Sequence, residues 1–428
     1  MNFYSTNSRS QSVSFKEAVI KSLPEDQGLY FPEEVPELDF LFLETLDHYT
    51  LPEIGFEVLR HFTKKDIPEE KLQDILKGAF NFEIPLKPVV DRVHSLELFH
   101  GPTYAFKDVG ARFLARCLGY FNESENHEIT ILVATSGDTG GAVASGFYEV
   151  PGVRVIILYP SGKVSPLQEK QLTTLGKNIA ALEVKGNFDD CQTMVKKAFL
   201  DPRINQKLNL SSANSINIAR WLPQSVYYFE GYKQLKNKKK VVFAVPSGNY
   251  GNITAGLLAK KMGLEIDRFI AASNANDVVP RYLKDGNYDP HPTISTLSNA
   301  MDVSDPSNHP RMLQLHELDF KNITNHVAGF TLNDEETLAT MKACQTENGY
   351  ILDPHGAIGY GALKETLGKK ENGIFLETAH YSKFLETVER ALGNSMDLPE
   401  FVSDLMTKEK QVIQIENDYD QFREYLMD

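Results

Sequence analysis

Cysteine, positive charge and long apolar runs are all scarce in this chain, and each shortage excludes a class of function. The 428 residues include 3 cysteines. Cys117, Cys191 and Cys344 lie far apart without a C-x-x-C pair, so neither a disulfide framework nor a zinc site is expected. That usage suits a reducing compartment, and a cytoplasmic protein is the expectation. Lysine and arginine total 44 against 58 acidic residues, a net charge of −14, which argues against nucleic acid or an anionic membrane as the main partner. No run approaches the roughly 18 apolar residues of a membrane helix. The opening MNFYSTNSRSQSVSF has neither an apolar signal core nor the arginines of a transit peptide. There are 11 histidines, but none in H-x-x-x-H or H-E-x-x-H spacing, so no metal site is expected.

What is present describes a globular protein. A chain that is 42% hydrophobic and 24% charged can bury a large core, and its length suits two or three domains. Residues 15 to 90 read as mostly helical, with SLPEDQGLYFPEEVPELD a lead-in loop and IPEEKLQDILKGAF a capped helix. From about residue 128, short β-branched runs alternate with amphipathic stretches. ITILVAT, VRVIILYP and IAALEVKG are each followed by helical text. In DDCQTMVKKAFLD, Cys191, Met194, Val195, Ala198 and Phe199 form one apolar stripe at helical spacing.

SINIARWLPQSVYYFEGYKQL reads as a long helical stretch with Trp221 in the core, and KNKKK as a solvated turn. The alternation then resumes with KVVFAVPSG, NITAGLLAKKMG and RFIAASN, and closes with GIFLETAH before the helical YSKFLETVERALG. TISTLSNAMDVSDPSNHPR is expected to be an ordered loop. The pattern predicts an α/β fold of parallel twisted sheets with helices on both faces, preceded by a mostly helical N-terminal domain.

Two glycine-rich turns sit where a strand gives way to a helix. VPSGNYGNITAG offers free N–H groups and a helix N-terminus to a phosphate around Gly248, Asn249, Tyr250, Gly251 and Asn252. It lacks the lysine of a G-x-x-x-x-G-K-[ST] loop, so a nucleoside triphosphate fits poorly. ATSGDTGGAV could hold a second anion on Ser136, Gly137, Thr139 and Gly140, and it departs from the G-x-G-x-x-G of dinucleotide folds. Each turn also has an ordinary reading, the first as a simple turn and the second as a helix start capped by Asp138 or Thr139.

Between them in importance stands Lys107, in HGPTYAFKDVG, a loop with little polar cover. A desolvated lysine has a lowered pKa and becomes a nucleophile toward carbonyl compounds. A phosphate turn, an anion turn and such a lysine together describe a holder for a phosphorylated aldehyde, for which pyridoxal 5'-phosphate is the familiar candidate.

At this point the text resembles a family. LFHGPTYAFKDVG, ATSGDTGGAV, SANSINIAR, VPSGNYGNITAG and SNAMDVSDPSNHPR are similar to the motifs of the threonine synthases of bacterial and fungal type. These are pyridoxal-phosphate enzymes of the tryptophan-synthase-β group, fold type II. The resemblance runs nearly end to end. It implies that Lys107 carries the cofactor as a Schiff base and relays protons, that residues 248 to 252 hold its phosphate, and that Thr378 faces the pyridine nitrogen. It implies that the turn with Ser136, Gly137, Asp138 and Thr139 receives the substrate carboxylate, with Asn217, Arg220 and Lys163 as candidates for the substrate phosphate. His100 and His380 are further candidates near the cofactor.

The implied reaction turns O-phospho-L-homoserine and water into L-threonine and phosphate. Another pyridoxal-phosphate phospholyase or dehydratase, or a silent phosphoamino-acid-binding relative, is the alternative. The implied domains are 1–90, an N-terminal unit; 91–127, the lysine segment of the large domain; 128–215, a smaller α/β domain; and 216–428, the rest of the large domain. A monomer is expected, with a dimer as the alternative.

Overall fold

The protein is described here by a computed structural model that covers residues 1–9, 11–123 and 128–428. Two parallel sheets form its centre. The larger has six strands, in the order Val327–Thr331, Arg268–Ser273, Val241–Pro246, Asn372–Glu377, Val93–Glu97, Leu86–Val90. Its strands are parallel except for the last pair. The smaller has five, in the order Ile413–Glu416, Ile179–Lys185, Val153–Pro160, Ile129–Ala134, Asn209–Ser212, parallel throughout.

The unbroken apolar text of the central strands follows from burial on both faces. Val241, Phe243 and Val245 enter one apolar cluster, and Val242 and Ala244 another. In the smaller sheet Ile131 and Val133 face the first of these clusters, whereas Leu132 and Ala134 face a third. The facing sides of both sheets, with Trp221 and the N-terminal Phe3 and Phe15, thus share one core. The expected stripe is present too: the helix Phe188–Leu200 buries Cys191, Met194, Val195 and Ala198, with Phe199 partly buried at its border.

Several details differ from expectation. The N-terminal unit holds a three-stranded antiparallel sheet of Asn2–Ser5, Ser12–Ser14 and Tyr30–Pro32 beside its helices, so the lead-in loop contains a strand. The helix Glu69–Ala79 lies where it is expected, but its N-cap is Pro68, which makes no side-chain bond. Burial of Leu72, Ile75 and Leu76 anchors it instead. The strand Leu86–Val90 pairs with the large sheet, so residue 90 lies beyond the end of the N-terminal unit. The expected division at 127 borders residues 124–127, which lie outside the described residues.

At the other end, Ile413–Glu416 extends the smaller sheet, and the helix Tyr419–Met427 adds Phe422 and Leu426 to that sheet's outer core. The end of the chain therefore crosses back from the large unit. A strand of 4 residues carries too little periodicity to announce this.

Pro223 has no N–H to give, and the long helical stretch is correspondingly divided into Ile218–Trp221, a 3-10 turn Leu222–Ser225 and Val226–Lys233. Trp221 is buried, its indole N–H donating to Thr254 Oγ1 at 2.9 Å. The polar segment near residue 300 is ordered around Asp302, whose carboxylate accepts from Thr296 Oγ1 at 2.7 Å and Asn274 Nδ2 at 2.9 Å. Among the described residues no helix is long and apolar enough to cross a membrane.

Strand order decides where chemistry can occur. Val241–Pro246, Asn372–Glu377 and Val93–Glu97 are parallel and successive across the sheet, so residues 247–252, Thr378 and the segment leading to Lys107 all leave the same edge. Ligands of open α/β sheets bind at that carboxyl edge. We predict that Phe422→Ala, which empties a fully buried site, lowers the free energy of unfolding by about 3 to 5 kcal/mol in urea denaturation.

Candidate active site

Lys107 opens the helix Lys107–Asn122, and the turn before it is fastened to the end of the neighbouring strand. Phe106 N–H donates to Thr378 O at 2.9 Å, and His380 N–H to Tyr104 O at 3.0 Å. These bonds flank an antiparallel bridge between Ala105 and Ala379. Thr378 is thereby set beside the lysine turn. Within that turn Tyr104 has a φ of 58°, a left-handed conformation that is costly for a bulky residue. Its ring stacks on Phe401 with centroids 3.6 Å apart.

The Lys107 amine lies 4.6 Å from the centroid of the Phe106 ring. Although the side chain is only partly buried by its own surface, protein surrounds the amine closely enough to change its chemistry. Burial, and after it the Arg220 charge, lower its pKa to about 8 against the opposing pull of Asp138. Next to it, Asp108 is fully buried and accepts from Thr103 N at 2.8 Å and Thr103 Oγ1 at 2.7 Å. Burial still pushes its carboxyl up to about 6.

The turn after Val241–Pro246 has the properties of an anion cradle. Tyr250, at φ 60°, is the N-cap of the helix Gly251–Lys261. The N–H groups of residues 248 to 252 meet no protein acceptor among the described residues. Asn252 Oδ1 accepts from the hydroxyls of Tyr227 and Tyr228 at 2.6 and 2.7 Å, while its buried Nδ2 has no partner. Buried donors are normally satisfied, and a phosphate at a helix N-terminus would satisfy these.

Gly248 is required there, because a β-carbon would lie 2.5 Å from Met301 Cα, a backbone atom. Asn249 braces the loop: its Nδ2 donates to Ser215 Oγ at 2.7 Å and its Oδ1 accepts from Ser307 N–H at 2.6 Å. The Tyr250 hydroxyl meets Ser273 Oγ at 2.7 Å.

The second glycine turn is built differently from expectation. Neither Asp138 nor Thr139 caps the helix Asp138–Phe147; Gly137 occupies the cap with a φ of 156°. A β-carbon on it would come within 2.5 Å of Gln168 Nε2. The Thr135 hydroxyl accepts from Gly137 N–H at 3.0 Å and Gly140 N–H at 2.9 Å. Ser136 and Thr139 are part-buried on the same turn.

Asp138 is held by Lys383 Nζ at 2.8 Å and Gln168 Nε2 at 2.9 Å. Burial raises its carboxyl, but the Lys383 charge together with the hydrogen bonds from Lys383 and Gln168 holds it below the usual range.

The three phosphate candidates separate. Arg220 is 2% exposed, donates to Ala213 O at 2.5 Å and keeps a buried Nε without a partner, so it retains a donor for an anion. Asn217 does not: its Nδ2 donates to Val19 O at 2.9 Å and Ser212 O at 3.1 Å, and its Oδ1 caps a helix through Ala219 N–H at 3.0 Å. Both donors of the Asn217 amide are thus taken up in joining chain segments. Lys163 stands exposed on the turn after Val153–Pro160, apart from the buried group.

The two histidines sit in the neighbouring turns, each with its ring against Phe99. His100 Nε2 meets Glu97 Oε2 at 2.8 Å. His380 caps a 3-10 turn, and burial lowers its pKa to about 4. Missed by sequence reasoning are Lys383 and Arg311, each 1% exposed or less. Arg311 ties the 248 to 252 turn down, donating to Ser215 O at 3.0 Å and Asn308 Oδ1 at 2.8 Å, while Asn308 donates to Asn249 O at 3.0 Å. Nothing in the local text separates either residue from a surface cation.

A closely walled amine and a turn of free N–H groups on the carboxyl edge of a parallel sheet suit a pyridoxal-phosphate enzyme of fold type II, and residues 93–376 match the family model described as pyridoxal-phosphate dependent enzyme. Residues 2–80 match that of the threonine synthase N terminus, and 356–426 that of the threonine synthase C-terminal region. The chain belongs to the threonine synthase family. It is 48% identical to the threonine synthase of Haemophilus influenzae over 100% of both chains. The crystal structure of threonine synthase from Escherichia coli superposes with a TM-score of 0.93 at 44% identity, covering 100% of this chain and 99% of that one. The pyridoxal-phosphate-bound threonine synthase of Brucella melitensis gives 0.94 at 35% identity, covering 100% and 98%.

The cofactor is accordingly pyridoxal 5'-phosphate, and the free donors of the cradle, with the lysine, suit it. We expect Gly248→Ala to weaken cofactor affinity at least about tenfold, because the Met301 backbone must move; a spectroscopic titration with pyridoxal 5'-phosphate measures this.

Proposed function

We propose that the chain converts O-phospho-L-homoserine and water into L-threonine and phosphate, with Lys107 as the residue that holds the cofactor and moves protons. The observation that carries this is the Lys107 amine, lowered by burial to about 8 on the sheet edge shared with Thr378 and the 248 to 252 turn. Pyridoxal phosphate, when bound, supplies an electron sink that acidifies carbon–hydrogen bonds of an attached amino acid.

Each side chain then has a defined task. The N–H groups of residues 248 to 252, with Asn252 Nδ2, bind the cofactor phosphate. The Thr378 hydroxyl would face the ring nitrogen of the bound cofactor, and a neutral hydroxyl there would not enforce protonation as a carboxylate would. The turn of Ser136, Gly137, Asp138 and Thr139 receives the substrate carboxylate. Arg220, with its spare Nε, is oriented for the substrate phosphate, a group that a guanidinium fits well. Lys107, neutral above about pH 8, accepts a proton and returns it at a neighbouring carbon. Phosphate that leaves remains within a cationic, water-poor site, where it can orient the incoming water.

All of these residues come from one chain, so a monomer suffices for activity, with a dimer as the alternative. The three free, buried cysteines support a cytoplasmic location.

Incubation with O-phospho-L-homoserine and amino-acid analysis test the reading: threonine with phosphate supports it, whereas 2-oxobutanoate with ammonia identifies a phospholyase. Lys107→Ala should abolish both turnover and the visible absorbance of covalently held cofactor. Arg220→Ala should raise KM for O-phospho-L-homoserine by about tenfold or more while cofactor affinity stays within about threefold; equal losses of both would remove Arg220 from the substrate site.

A further inference from the structure

Lys383 follows the strand Asn372–Glu377 by a few residues, in the 3-10 turn Tyr381–Phe384. Its side chain is completely enclosed. A lysine so buried is rare unless paired. Its three hydrogen-bonding directions are all used: Asp138 Oδ1 at 2.8 Å, Thr103 O at 2.8 Å and Gln171 Oε1 at 2.8 Å.

These partners come from separate parts of the fold. Asp138 and Gln171 belong to the smaller sheet's helices, Asp138–Phe147 and Pro166–Thr173. Thr103 belongs to the turn before Lys107, and through its N–H and hydroxyl it also holds the Asp108 carboxylate. Gln171 Nε2 donates to the same Thr103 O at 3.0 Å. One ammonium therefore joins the substrate-facing turn of one sheet to the lysine-bearing turn of the other.

We propose that Lys383 is a positioning residue for the reaction at Lys107: its ammonium holds the Asp138 carboxylate to itself, away from Lys107, and locks the two turns in register. The inference rests on the reading of Lys107 as the cofactor-bearing residue. The charged groups facing Lys383 are Asp138, Asp108 and His380; those facing Asp138 are Lys383, His355 and Lys107; those facing Lys107 are Arg220 and Asp138.

Without Lys383, the ammonium left to compensate Asp138 is that of Lys107. An opposite charge that gains weight raises the pKa of an amine, so Lys107 stays protonated, and non-nucleophilic, to higher pH.

The test uses the full chain freed of cofactor and mixed with pyridoxal 5'-phosphate, the initial rise in visible absorbance being followed against pH. The wild type should show a midpoint near 8. Lys383→Met should move it up by about one unit, which is about a tenfold slower capture on the acid side. The double variant Asp138→Asn/Lys383→Met, lacking both charges, should bring it back to the wild-type position. Should Lys383→Met fail to fold, Asp138→Asn serves instead: it leaves the Lys383 ammonium without its counter-charge and should lower the midpoint.

An unmoved midpoint in folded Lys383→Met, or in Asp138→Asn, overturns the inference, as does a double variant that keeps the displaced midpoint. Absence of any absorbance change in the wild type would instead defeat the assignment of Lys107 itself, so the two failures are separable.

Discussion

The cost of keeping a charge out of water is the constraint on which this structure depends. Lys107 is the first residue of its helix, where a second positive charge opposes the helix dipole, and it is walled by Phe106 and faced by Arg220. Burial and the Arg220 charge disfavour the ammonium and bring the amine to about 8. Asp138 pulls the other way, and that carboxylate is already held by Lys383. The site thus supplies a sizeable neutral fraction of the amine near physiological pH by assembling disfavour around it, whereas a solvated surface lysine stays almost wholly protonated there.

Such an arrangement needs a stiff scaffold, because an unsupported buried charge would relax by drawing in water or shifting its backbone. The stiffness comes from strands enclosed on both faces and from polar braces at the sheet edge. Arg311 and Asn308 hold the 248 to 252 turn against residues 215 to 216. The backbone bonds between Phe106 and Thr378 and between His380 and Tyr104 hold the lysine turn. The loop donors are left free for a ligand because their surroundings cannot collapse onto them.

Much of this was legible in the chain. Uninterrupted apolar runs such as VVFAV mark strands wet on neither face, and the helix stripe of Cys191, Met194, Val195 and Ala198 marks its buried side. Gly248 betrays a close backbone approach, which Met301 makes. The amine of Lys107 stood out because apolar residues and glycines surround it in the text itself. Less legible were features whose partners lie far away in sequence. Asn217 reads as a polar residue free to bind a ligand until Val19 and Ser212 occupy its donors. Lys383 reads as one more cation on an amphipathic helix until Asp138, nearly 250 residues earlier, reaches it.

The sequence by itself determined the alternation of strands and helices, the two glycine turns and the lysine loop, since these rest on local periodicity, backbone freedom and neighbouring side chains. Tertiary structure alone decided which groups share a desolvated space: the return of Ile413–Glu416 to the smaller sheet, the spare Nε of Arg220, and the capture of Asp138 by Lys383. The physical reason is that burial and charge pairing depend on distances between segments, and one-dimensional order does not contain those distances.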